Sequence, residues 1–84
     1  MYVTADDIIA CYVRPRWQQI IEITPYNLRS LMEADETKVR CWLLLNIDGE
    51  PEMIEVKREQ VGDRTRAYVS SPFIDRTYLD TLVD

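Results

Sequence analysis

Eighty-four residues leave room for one domain, since folded domains run from about 50 to 250 residues and a second hydrophobic core would not fit. Hydrophobic residues at 46% and interspersed charged residues at 30%, with only two glycines and no low-complexity tract, exclude a disordered chain. Fifteen acids against ten bases give a net charge of −5, which counts against a phosphate backbone as partner and favours a partner with a basic surface.

Met1-Tyr2-Val3-Thr4 lacks a basic region followed by an apolar stretch, and no apolar run reaches the roughly 18 residues of a membrane span, so a cytoplasmic protein is expected. Cys11 and Cys41 belong to no C-x-x-C and read as buried thiols in a reducing compartment.

Residues 5–13 carry a helix-start signature. Thr4 stands as N-cap with Asp6 and Asp7 at the positive end of the dipole, and Val3 is placed to staple onto Ile8. The apolar stripe Ile8, Ile9, Tyr12 and Val13 continues the helix until Pro15 stops it; Cys11 lies off that stripe. Residues 16–23 match both periods, and their β-branched residues favour a short strand over a helix. Thr24-Pro25 repeats the start signal and predicts a helix over 25–34 that buries Leu28, Leu31 and Met32.

Asp48-Gly49 between two alternating segments reads as a β-hairpin with a two-residue type I′ turn. Pairing Ile47 with Glu50 sets Leu43 against Ile54 and Cys41 against Val56, and it puts Pro51 opposite Asn46, tolerable if no strand pairs beyond it. Gly62-Asp63 supplies a second tight turn. A three-stranded antiparallel meander over 38–47, 50–60 and 64–70 results. Ser71-Pro72 then predicts a closing helix over 72–83 with Phe73, Ile74, Tyr78, Leu79, Leu82 and Val83 on its apolar face. The expected fold is a single α+β domain over residues 1–84.

The chain has no histidine, which removes the usual general base and the commonest metal ligand, together with Ser–His and Cys–His nucleophile systems. Gly49 and Gly62 are isolated in turns, so no phosphate-cradling loop exists. Paired carboxylates could still act, but Asp6 and Asp7 are explained by a helix start, and Asp48, Glu50 and Glu52 by a solvated hairpin end. No Ca²⁺-loop pattern occurs. The chain reads as non-enzymatic, with no cofactor and no metal.

The second face of the meander mixes Arg40, Trp42, Leu44, Met53, Glu55, Lys57, Arg66 and Tyr68. Either a helix covers it or it is a recognition surface anchored by Trp42 and Tyr68, with Met53 and Arg40 beside them. A homodimer through this face is the self-associating form of the second reading. The other candidate surface is acidic: Glu33, Asp35 and Glu36, then Asp48, Glu50 and Glu52, which could imitate nucleic-acid phosphates against a basic groove, although Arg14, Arg16, Arg64 and Arg66 interrupt it along the chain. The leading expectation is a protein-binding module acting as a small acidic inhibitor of a larger enzyme or nucleic-acid-binding protein. A nucleic-acid-binding regulator of winged-helix type is the alternative, disfavoured by the acids on the would-be wing.

Overall fold

The computed structural model describes residues 2–24, 26–35 and 37–83. Strand alternation, rather than helical periodicity, organises its beginning. Ile8–Pro15 form strand β1, with Cys11 wholly buried and Val13 inward while Tyr12 and Arg14 point outward. The helix expected over 5–13 is therefore reduced to a single 3-10 turn, Ala5–Asp7. Val3 is buried, and the Thr4 amide donates to Asp7 Oδ2 at 2.9 Å, so the start signal is used but not followed by an α-helix. The physical reason is β-branching: Ile8, Ile9 and Val13 lose little in a strand, where Cys11, off the helical stripe, becomes the most enclosed side chain.

A turn closed by the Gln18 amide donating to the Pro15 carbonyl at 3.0 Å leads to strand β2, Ile21–Ile23. Trp17 in that turn has φ 65°, a conformation that costs a bulky residue on the order of 1 kcal/mol or more. Helix α1 spans Leu28–Glu33, shorter than the expected 25–34. Its cap is Asn27, whose Oδ1 accepts from the amides of Arg29 at 2.9 Å and Ser30 at 3.4 Å. The Pro25 start lies outside the described residues.

Strands β3 (Val39–Ile47) and β4 (Glu50–Glu55) form the expected hairpin, with Leu43 opposite Ile54, Asn46 opposite Pro51 and Ile47 opposite Glu50. Asp48 and Gly49 take φ 52° and 85°, as a type I′ turn requires. Pro51 is tolerated because β4 is an edge strand of its sheet.

The expected strand over 50–60 is broken at Val56, whose amide donates to the Cys41 carbonyl at 2.9 Å. Beyond it, β5 (Lys57–Val61) joins a second sheet with β6 (Arg64–Ser71), turning at Gly62 with φ 65°. Strand β7, Ile74–Tyr78, and a 3-10 turn, Leu79–Thr81, replace the helix expected over 72–83. Ser71-Pro72 makes a hairpin turn, in which the Phe73 amide donates to Ser71 Oγ at 3.2 Å, rather than a helix cap. Burial explains the choice: Ile74, Thr77 and Leu79 are inside while Phe73, on the expected helix stripe, is 65% exposed.

Two antiparallel sheets result, ordered β2-β1-β3-β4 and β5-β6-β7. The fold is mainly β with little helix, matching α+β only at that coarse level. The core joins their inner faces through Cys11, Leu43, Leu45, Val56, Val69 and Leu79, and α1 adds Leu28 and Leu31. No helix of the described residues is long and apolar enough to cross a membrane.

Candidate functional site

With α1 packed on the inner side, against β6 and the C-terminal 3-10 turn, no α-helix of the described residues lies over the outer face of the first sheet. Strand register builds that face in rows. Glu22, Tyr12, Trp42 and Glu55 lie side by side across β2, β1, β3 and β4, and the next row is Ala10, Leu44 and Met53. Tyr12, Trp42 and Leu44 are partly buried, and Met53 is 50% exposed. Arg40 stacks over the Trp42 ring with its guanidinium carbon 5.0 Å from the centroid.

That stack is held from below by a carboxylate. Arg40 Nε donates to Glu55 Oε2 at 2.7 Å, and Lys57 Nζ to Glu55 Oε1 at 2.9 Å. The Arg40 hydrogen bond, with help from Lys57, holds the Glu55 carboxyl down at about 2, against 4.5 when free. Trp42, Met53 and Arg40, singled out in the sequence, are thus brought together.

Tyr68 is not part of this group. It lies across from Lys57 on the outer face of the second sheet, edge-on to Tyr78 with centroids 6.2 Å apart and beneath Arg76 at 4.3 Å. That face is a closed network: Arg76 pairs with Glu59 at 2.5 Å, the Tyr78 hydroxyl donates to Glu59, Arg66 covers the Tyr78 ring at 3.7 Å, and Arg66 and Arg64 reach Asp80 at 2.7 and 3.2 Å. The Tyr78 hydroxyl first, then Arg76, lower the Glu59 carboxyl, and Arg66 lowers Asp80.

The acidic candidates are divided. Glu33 ends α1, and Asp35 is tied to Thr37, whose amide and hydroxyl donate to Oδ1 at 2.9 and 2.7 Å, so both precede β3; Glu36 lies outside the described residues. Asp48, Glu50 and Glu52 follow β3, about 20 to 26 Å away at about 3.3 Å per residue. The two acidic segments therefore form no single surface.

Two features were not foreseen. Tyr12, assigned to a buried helix stripe, is a cross-strand partner of Trp42. Arg14 and Arg40 are also direct partners, a like-charge pair that strand pairing disfavours. They adjoin a cleft of about 300 Å³ lined also by Arg16, Lys38 and the strained Trp17, which is 87% exposed. The only signal in the chain was the pair of arginines with a proline and a tryptophan at 14–17, which remained charge until the register placed 38–40 beside it.

Cys11 and Cys41 are free and buried, and burial, with the Cys41 thiol nearby, pushes the Cys11 thiol up to about 11. Neither is a nucleophile at neutral pH. Among the described residues no group of three or more acids and cysteines is placed to hold a metal ion. The winged-helix alternative loses its frame, because residues 8–15 are strand and the α-helix among the described residues is the six-residue α1. No family model, no curated protein and no solved structure matches this chain.

Proposed function

We propose that this chain is a non-enzymatic protein-binding module whose contact surface is the outer face of the first sheet, with Trp42 as its anchor. The observation that carries this reading is the open row Tyr12–Trp42 beside Leu44 and Met53, flanked by ion-paired Arg40 and Glu55. Interface cores are enriched in Trp, Tyr, Met and Arg, and a ring pre-positioned by a stacked arginine loses little freedom on binding.

The narrower form, an acidic inhibitor of a larger enzyme or nucleic-acid-binding protein, is favoured by one further observation. Asp6 and Asp7 precede β1 at the end where Ile8 pairs with Leu45, and so join Asp48, Glu50 and Glu52 at one end of the sheet. Five acids there would steer a basic partner surface.

The test is affinity capture with the wild type, Trp42→Ser, and Glu50→Lys plus Glu52→Lys. Loss of about 30-fold or more in affinity is expected for Trp42→Ser, as for an interface hot spot. Equal capture by all three rejects the reading. Acrylamide quenching of Trp42, read in a Trp17→Phe background because Trp17 is itself exposed, should show an accessible ring that a bound partner protects.

A further inference from the structure

Four cations meet at one end of β1 and β3. Arg14 and Arg40 are cross-strand partners, and the Arg16 amide, donating to the Lys38 carbonyl at 2.9 Å, extends the register to an Arg16–Lys38 row. The two rows are two residues apart and so share a side of the strands, at Cα spacings of about 5 Å across and about 7 Å along them. Like charges this close repel, and the carboxylates nearby do not cancel them. Glu55 binds Arg40 but is shared with Lys57, and Asp35 lies beside Lys38 but is tied to Thr37. Glu22, across from Tyr12 on β2, makes no ion pair with Arg14 among the described residues. Arg14 and Arg16 are without a carboxylate partner among those residues; Arg14 Nε donates instead to the Gln18 carbonyl at 3.0 Å, which fixes the guanidinium and leaves its Nη groups to donate elsewhere.

A second, independent feature stands beside these cations. The turn closed by the Gln18 amide on the Pro15 carbonyl has positive φ at its third residue alone, Trp17 at 65°, which is the pattern of a type II turn, where glycine is the usual occupant. The ring that holds this position is 87% exposed, with the Arg16 guanidinium carbon 5.4 Å from its centroid. A bulky side chain kept in a strained conformation without burial in return is a mark of a functional site. Trp17 and the four cations line the cleft of about 300 Å³, which is at the small end of the range for ligand sites.

We propose that this cleft binds a small phosphate monoester carried on a planar ring, as in a mononucleotide or an aryl phosphate, with the phosphate held by Arg14, Arg16 and Arg40 and the ring stacked on Trp17. A phosphate monoester brings close to two negative charges and three acceptor oxygens, which answer clustered arginine forks better than a single carboxylate does. The tryptophan supplies the stacking platform that the rest of such a molecule needs. The net charge of −5 selects a small ligand over a nucleic-acid strand: a polyanion is repelled along its length, whereas an anion confined to the cleft stays within a Debye length of about 8 Å of the cations. This site is separate from the reading of Trp42 as a protein-binding anchor and does not rest on it.

Isothermal titration calorimetry of the full chain tests the proposal, with adenosine 5′-monophosphate and phenyl phosphate as ligands and inorganic phosphate, adenosine and a glutamate-rich peptide as controls. At least one ring phosphate should bind about tenfold or more tightly than every control, and less well in about 0.5 M salt; the tighter of the two tells a nucleotide from an aryl phosphate. Trp17→Gly separates binding from folding. Glycine accepts the positive φ, so the melting temperature should hold while affinity falls about tenfold or more. Arg14→Gln with Arg16→Gln should weaken binding by a similar factor with the ring still in place. No binding of either ring phosphate at about 1 mM, inorganic phosphate or the peptide binding as tightly, or Trp17→Gly keeping full affinity overturns the proposal. So does a Trp17→Gly variant that unfolds, since the ring would then serve the fold. Each of these outcomes leaves the capture assay on Trp42 to stand or fall by itself.

Discussion

The outer faces of the two sheets are built from the same residue types and do opposite things with them. On the second sheet Tyr68, Tyr78, Arg64, Arg66, Arg76, Glu59 and Asp80 consume one another: each ring carries a guanidinium and each carboxylate two donors. On the first sheet the ion pairs gather around Glu55, leaving Trp42, Tyr12, Leu44 and Met53 under no α-helix and Arg14 and Arg16 without an ion pair among the described residues. An aromatic and a charge on a sheet face therefore do not by themselves mark a binding surface. What marks it is whether the polar groups are already satisfied within the chain.

The largest effect should come from beneath both faces. Leu43→Ala, at a wholly buried position, should lose about 3 kcal/mol in chemical denaturation, which sets the scale for the outer substitutions. Next comes the second-sheet network: Asp80→Asn removes the partner of Arg66 and Arg64 and should cost about 1 kcal/mol, discounted because the carboxylate is 32% exposed. No measurable loss there would mean that the second face is as open energetically as the first.

Acid should distinguish the faces in a way that substitution does not. The Glu55 carboxyl is held at about 2 against 4.5 when free, so its contribution to stability is whole above pH 4.5 and is lost as pH falls from 4.5 towards 2. Glu59 and Asp80 are also lowered, so they add loss of the same sign in acid. Glu55→Gln should flatten the acid limb of a stability–pH curve by roughly 1 kcal/mol while leaving the Glu59 and Asp80 part in place. The smallest effect belongs to the open strip: Met53→Thr should change folding stability by less than about 0.5 kcal/mol, because its side chain is half exposed. A loss of several kcal/mol at Met53 would show that the strip is core rather than surface.

The chain by itself determined the β3–β4 hairpin down to its register. Asp48-Gly49 admits the positive φ of a type I′ turn, and the alternation of Cys41, Leu43, Leu45 and Ile47 leaves one pairing that buries them all. The Val61–Arg64 turn was legible on the same grounds. It also determined that Trp42, Met53 and Arg40 share a face, since a two-residue period needs no tertiary information. Tertiary structure decided whatever depended on which partner a segment finds. Residues 8–15 and 74–78 carry spacings compatible with a helix, and pairing with β3 and β6 made them strands, because a strand with a ready edge satisfies its backbone and buries β-branched residues at once. The break at Val56 that moves Tyr68 onto a different sheet from Trp42 was likewise invisible in an unbroken alternating run. The meeting of Arg14 and Arg40 was hidden for the same reason: they are twenty-six positions apart along the chain and neighbours only in the register of an antiparallel sheet.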